Sequence, residues 1–246
     1  MRLILAVLGF SLGMTIATTL AEEHFESGPA RTALLELYTS EGCSSCPPAE
    51  AQLSRLKKDP GLWKQIVPVA YHVDYWDRLG WRDRFAAPAW TARQNRYASL
   101  WQSDSVYTPA FVLNGREMRS GFGGASAPND TGGRLRATSA DGRNWKIEFF
   151  PEPVGTGTWE AHVALLGAGI SSKIGGGENG GRNLEHDFVV LTQQDAPLAA
   201  NGDHWNGSLT IKPSAESAPQ KGVAIWVTRR GEMAPVQATG GWLGTR

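Results

Sequence analysis

The chain of 246 residues has little cysteine, no excess of either charge and no long apolar run beyond its first twenty residues. Each shortage removes a class of function. Two cysteines are too few for a small scaffold stapled by disulfides. Lys+Arg and Asp+Glu stand at 24 each, so the clustered basic excess that displaces counterions from nucleic acid is missing, and no nucleic-acid partner is expected. With 41% hydrophobic and 20% charged residues, the composition is that of a folded protein, not a disordered or polytopic membrane chain. The length suits one large domain or two small ones.

What is present begins with an export pattern: Arg2, an apolar run from Leu3 to Leu20 diluted by Gly and Thr, and a small-residue site at Thr19-Leu20-Ala21. Residues 1–21 are expected to be a signal peptide, and the mature protein to be periplasmic or secreted. No later segment has the apolar length of a membrane span, so no membrane association is expected after cleavage. That compartment is oxidising, and a cysteine pair there can hold a disulfide.

Leu34 to Tyr38 reads as a buried strand that feeds a loop at Thr39-Ser40-Glu41-Gly42. Cys43-Ser44-Ser45-Cys46 sits in that loop, and Pro47, Pro48, Ala49, Leu53 and Leu56 then open a helix, expected to start at Pro47 with Cys46 as its cap. Ile66 to Val73 is the next strand, which makes a βαβ unit with the dithiol at the strand-to-helix turn. Residues 83–101 carry Phe85, Trp90, Tyr97 and Trp101 at helical spacing around Pro88, and read as a helical insertion of one or two helices. Val106 to Leu113, the turn Asn114-Gly115 and Arg116 to Ser120 read as a hairpin. Beyond Asp141-Gly142 the texture turns to strands at 145–150, 159–166, 184–192, 209–212 and 223–228.

A C-x-x-C at a helix N-terminus is a redox motif because unpaired N–H groups and the helix dipole stabilise thiolate. Closing so short a loop with a static disulfide gains only about 2 kcal/mol by chain entropy. Two Cys and one nearby His fall short of a four-ligand zinc site, although Cys43, Cys46 and His72 together offer a copper(I) set. His72 ends its strand near the dithiol loop, where an imidazole can shuttle a proton, with Asp74 and Asp77 to orient it or act as bases. Trp76 and Trp81 are placed to flank a substrate groove. Gly175-Gly176-Gly177-Glu178-Asn179-Gly180 matches G-x-G-x-x-G, but a strand follows where a helix N-terminus would be needed, so a hairpin is expected and not a dinucleotide site. His162, His186 and His204 lie in separate β segments, and no spacing joins them as a metal cluster.

Cys43 to Cys46 after the strand 34–38, with Thr108-Pro109 before the next strand, resembles the thioredoxin superfamily. Thr39 to Pro48, His72-Val73-Asp74-Tyr75-Trp76-Asp77 with Gly80-Trp81, Arg93-Gln94, Tyr107-Thr108-Pro109 and Gly177-Glu178-Asn179 are similar to a family of secreted bacterial thioredoxin-like proteins of unknown function. The resemblance implies a cis-proline at Pro109, a substrate docked on Thr108 and Pro109, and attack by Cys43 with Cys46 resolving. The expected fold is α/β: a thioredoxin-like domain over 28–140 with an insertion at 83–101, followed by a mostly antiparallel, sandwich-like β region over 141–246. The expected function is a thiol–disulfide oxidoreductase that needs no cofactor and acts on protein thiols or disulfides with a redox partner. The alternatives are a copper(I) metallochaperone and a binding module with a fixed disulfide.

Overall fold

A computed structural model describes residues 22–119, 121–122, 130–153 and 157–244. The expected signal peptide lies outside the described residues. In chain order the elements are β1 (Glu23–Glu26), β2 (Ala33–Thr39), α1 (Cys46–Ser54), β3 (Ile66–His72), α2 (Pro88–Leu100), β4 (Ala110–Leu113), β5 (Arg116–Glu117), β6 (Arg134–Ser139) and β7 (Asn144–Phe150). There follow β8 (Trp159–Ala168), β9 (Ile170–Lys173), β10 (Asn183–His186), β11 (Val189–Asn201), β12 (His204–Thr210), β13 (Gln220–Arg229) and β14 (Pro235–Trp242).

Twelve of these strands form one mixed sheet, ordered β1-β6-β7-β12-β11-β3-β2-β4-β5, with β8 on β11, then β13 and β14. β2 and β3 are parallel, as a strand pair joined through a helix must be, and β4 runs antiparallel to β2. The turn between β4 and β5 is the expected one: Asn114 and Gly115 both have positive φ, 48° and 81°, which the tight hairpin turn demands.

The expected α/β class, a thioredoxin-like domain followed by a sandwich-like region, is corrected here. Strand makes up 45% of the structure and helix 14%, and among the described residues there are two short α-helices. The physical reason is β11. Its first residue, Val189, pairs parallel to Ala70 of β3, while the same strand runs antiparallel to β8 and, at its far end, to β12. The edge of β3 is thereby extended by strand and not covered by helix.

β8 and β13 carry near-continuous apolar runs because both of their faces are covered. Ala164, Leu166, Ala224 and Trp226 face a core shared with Leu35, Leu37, Val69, Tyr71 and Leu53 of α1. Val163, Leu165, Val223 and Ile225 face a second core with Trp145, Ile147, Phe149 and Trp205. Alternation along a strand divides two cores between its faces.

Pro88 opens α2 and not its middle, because its missing N–H costs nothing in the first turn. The helix is held to the sheet by a buried ion pair, Arg93 Nε to Glu36 Oε2 at 2.8 Å, whose carboxylate also accepts the Tyr97 and Tyr38 hydroxyls at 2.5 and 2.9 Å. The ion pair and the two hydroxyl donors satisfy the Glu36 carboxylate, which is what permits its burial. α1 places Ala49 and Leu53 against the sheet on its other side, and its first turn carries two prolines.

Candidate functional site

Cys43 and Cys46 are joined as a disulfide and both are fully buried, although Ser44 and Ser45 between them are exposed. Ser45 caps α1 and Cys46 is its first residue, one position earlier than the two prolines suggested. The pair sits where β2 ends and α1 begins, beside the carboxyl end of β3. No acidic residue occupies the first turn of α1. A carboxylate comes instead from 134 residues away: the Ser44 N–H donates to Glu178 Oε2 at 3.0 Å. These hydrogen bonds hold the Glu178 carboxyl below its ordinary pKa.

Glu178 belongs to a strap, residues 174–182, that joins the antiparallel pair β9 and β10. The expected hairpin is therefore present, and it lies across the dithiol loop. Asn179, fully buried, donates from Nδ2 to the carbonyls of Glu41 and Cys43, each at 2.9 Å. Glycine lets the strap approach: a Cβ on Gly176 would stand 2.5 Å from the Gly80 carbonyl oxygen.

Trp76 and Trp81 pack on the same loop, and Trp81 also lies against Gly175 and Gly177 of the strap. The Trp76 Cβ lies 3.2 Å from where a Cβ on Gly42 would be, and its Nε1 donates to Thr108 Oγ1 at 2.8 Å. That contact ties the dithiol loop to Thr108-Pro109, whose peptide bond is cis. Trp81 Nε1 donates to Glu41 Oε2 at 2.7 Å.

Beneath the loop lies a buried ionisable cluster. His72 Nδ1 meets Asp83 Oδ2 at 2.6 Å, and the Glu41 N–H donates to the same oxygen at 2.9 Å. His186 Nδ1 meets Glu50 Oε2 at 2.5 Å, and its Nε2 stands 3.3 Å from Glu41 Oε1. Thr39 Oγ1 donates to Glu50 Oε1 at 2.6 Å. The two imidazoles stand edge to face, 5.3 Å between centroids, with Phe85 against both. Burial opposes charge on either ring, but the carboxylates outweigh it. The pKa of His186 is raised to about 10 by Glu41 and Glu50, and that of His72 is raised by Asp83. Burial likewise opposes charge on Glu41 and Asp83, yet the imidazoles hold both below the ordinary carboxylate range.

The structure thus brings Cys43, Cys46, Trp76, Trp81 and His72 around one loop, with Thr108-Pro109 attached through Trp76. Asp74 and Asp77 stand apart from His72. Asp74 Oδ1 accepts the Thr91 hydroxyl, and Asp77 Oδ1 accepts the Asp83 N–H. The carboxyl of Asp77 is shifted upward, chiefly by burial. His72 is oriented by Asp83, which no sequence motif marks. Glu41 and Glu50 carry no motif either, and His186, which no sequence spacing joined to another ligand, pairs with both. Their signal was a charged or imidazole side chain on an otherwise apolar face: Glu50 lies between Cys46 and Leu53 on α1, and His186 shares a strand face with Leu184.

Comparisons with known proteins add the fold and the family. A family model described as a protein of unknown function, DUF1223, matches residues 34–228. No curated protein matches the chain. A crystal structure of a protein from Agrobacterium tumefaciens is similar over 86% of this chain and 94% of its own, at 22% identity and a TM-score of 0.62. HBP35 of Porphyromonas gingivalis is similar over 88% of this chain and 76% of its own, at 11% identity and a TM-score of 0.55. At these identities the likeness concerns fold alone. The resemblance to a thioredoxin-like family is corrected by the family match together with the strand-dominated sheet.

Proposed function

The chain belongs to the DUF1223 family of proteins of unknown function, and from the site we propose that it is a thiol–disulfide oxidoreductase of the periplasm or the extracellular space. The observation that carries this reading is the position of the Cys43–Cys46 disulfide at the first residue of α1, flanked by a strap and two tryptophans and underlain by buried titratable groups. A disulfide closing so short a loop adds little stability, about 2 kcal/mol. A reactive role is the better reason for the only two cysteines of the chain to share one turn.

Protein thiols or disulfides are the substrates in this reading. In the reducing direction, the Cys43 thiolate attacks a substrate disulfide, forming a mixed disulfide and releasing one substrate sulfur as thiolate. Cys46 then attacks Cys43, which frees the second substrate thiolate and leaves the Cys43–Cys46 disulfide; a redox partner returns two electrons and two protons. Trp76, Trp81, Thr108 and Pro109 form the docking surface, and the strap moves aside to admit the substrate.

The test traps the intermediate. Cys46→Ser is expected to accumulate mixed disulfides with proteins of the same compartment, and their absence would sink the reading. Glu178→Gln adds a second check. Its carboxylate opposes negative charge beside Cys43, so its removal is expected to speed thiol alkylation about two- to five-fold and to make the midpoint potential less negative. An unchanged potential would remove Glu178 from the site. The full burial of both cysteines favours one other reading, a fixed disulfide in a binding module. A pair that glutathione never reduces would establish it.

A further inference from the structure

Glu50, His72 and His186 each offer one ligand atom, and these atoms all lie within 4.8 Å of one another, although the residues are far apart in the chain and come from α1, β3 and β10. All three residues are buried. Two imidazoles and a carboxylate are a donor set that suits Zn²⁺.

A second, independent observation points to a ligand. His72 is 1% exposed, its Nδ1 is taken by Asp83, and its Nε2 is buried with no hydrogen-bond partner among the described residues. An unpaired buried ring nitrogen carries a desolvation cost that a metal ion would remove. We propose that Glu50, His72 and His186 form a Zn²⁺ site beneath the dithiol loop, with His72 bound through Nε2.

The surroundings of each ligand fit this assignment. Ligating histidines normally give their other ring N–H to a carboxylate, which fixes tautomer and orientation. Asp83 holds His72 in this way through Nδ1. For His186, Glu41 Oε1 waits 3.3 Å from Nε2, and the ion takes the place of the hydrogen now shared by Nδ1 and Glu50 Oε2. Thr39 holds the remaining Glu50 oxygen. A tetrahedral ion with bonds of about 2.0–2.1 Å spaces its donors about 3.4 Å apart, which rotation of the Glu50 carboxylate and the rings provides. Glu50 also lines a groove of about 680 Å³ between α1 and β10. Three protein ligands leave the fourth position for water, as in catalytic rather than structural zinc sites.

The test is direct titration of the chelator-treated protein with Co²⁺ and then Zn²⁺. The expected result is one equivalent of Co²⁺ with the strong visible absorption of a four-coordinate ion, displaced by one equivalent of Zn²⁺. His72→Gln and His186→Gln are expected to weaken binding at least a hundredfold, and Asp83→Asn, which removes only an orienting partner, about 10- to 100-fold. The Cys43→Ser/Cys46→Ser double variant is expected to bind as tightly as the wild type, which separates this site from the redox reading above. No stoichiometric binding, a weak six-coordinate cobalt spectrum, or loss of binding in the double cysteine variant would each overturn the proposal. Should a histidine variant fail to fold by circular dichroism, the wild-type cobalt spectrum and Asp83→Asn still decide.

Discussion

At the scale of single residues, the buried imidazoles have a measurable consequence without any metal. His186 is stabilised as a cation by Glu41 and Glu50, with a pKa near 10 against an ordinary value of 6.5. A group raised in the folded state contributes stability that is complete below its unfolded pKa and lost as pH rises through the folded one. Chelated protein is therefore expected to lose stability between pH 6.5 and 10, by on the order of 4 kcal/mol. Glu41 and Asp83 have lowered values, so their contribution is lost on the acid side, as pH falls below about 4. Urea midpoints measured from pH 5 to 10 check this, and an alkaline decline that persists unchanged in His186→Gln would contradict it. None of these partnerships was legible in the sequence. Asp83 lies 11 residues from His72, and Glu50 lies 136 from His186, so only the fold makes them neighbours. The cysteine motif was legible because its chemistry is local.

At the scale of elements, β2, β3, the start of α1 and the Asn114-Gly115 turn were readable because each is dictated by nearby residues. The stretch 184–192 was not. It reads as one strand, but the chain breaks at Phe188, whose φ is 59°, so that the Phe188 carbonyl can accept the Ala70 N–H at 2.8 Å and deliver β11 to the edge of β3. A long-range hydrogen bond overrides a local pattern there. The strap shows the same dependence in part: Gly177 and Gly181 serve its own turn with positive φ, but Gly175 and Gly176 are required by Trp81 and Gly80. Gly176→Ala is expected to lift the strap from the Gly80 carbonyl and to speed reduction of the disulfide by dithiothreitol about tenfold, a loss of roughly 1.4 kcal/mol of cover. Stopped-flow tryptophan fluorescence would record it, and an unchanged rate would mean that the strap does not govern access.

At the scale of the whole molecule, one sheet and one shared core draw on both ends of the chain. Trp226, Ala224 and Leu166 pack in the same cluster as Leu35, Leu37 and Tyr71. Gln237, fully buried, accepts the Thr32 N–H at 2.7 Å and donates to the Gly133 carbonyl at 2.6 Å. A fragment of residues 22–140 would expose the edge of β3 and the part of that core covered by Leu166, Ala224 and Trp226. It is expected to lack cooperative thermal unfolding and native-like dispersion in its NMR spectrum; a well-dispersed fragment would show that the later strands are accessory. The strands of the second half were visible in the sequence one by one. Their joining to the first half was not, because alternation along a strand reports burial and not which neighbour supplies it.

The strap also sets an order of events during synthesis. Asn179, which seals the Cys43 carbonyl, follows it by 136 residues. At about 5–20 residues per second, the cysteine pair meets solvent for roughly 7–27 s before its cover has been made. Oxidation in that interval would need no opening of the folded protein, whereas exchange at the buried pair afterwards would. The same two sulfurs are therefore open to any oxidant in the nascent chain and closed off in the finished protein.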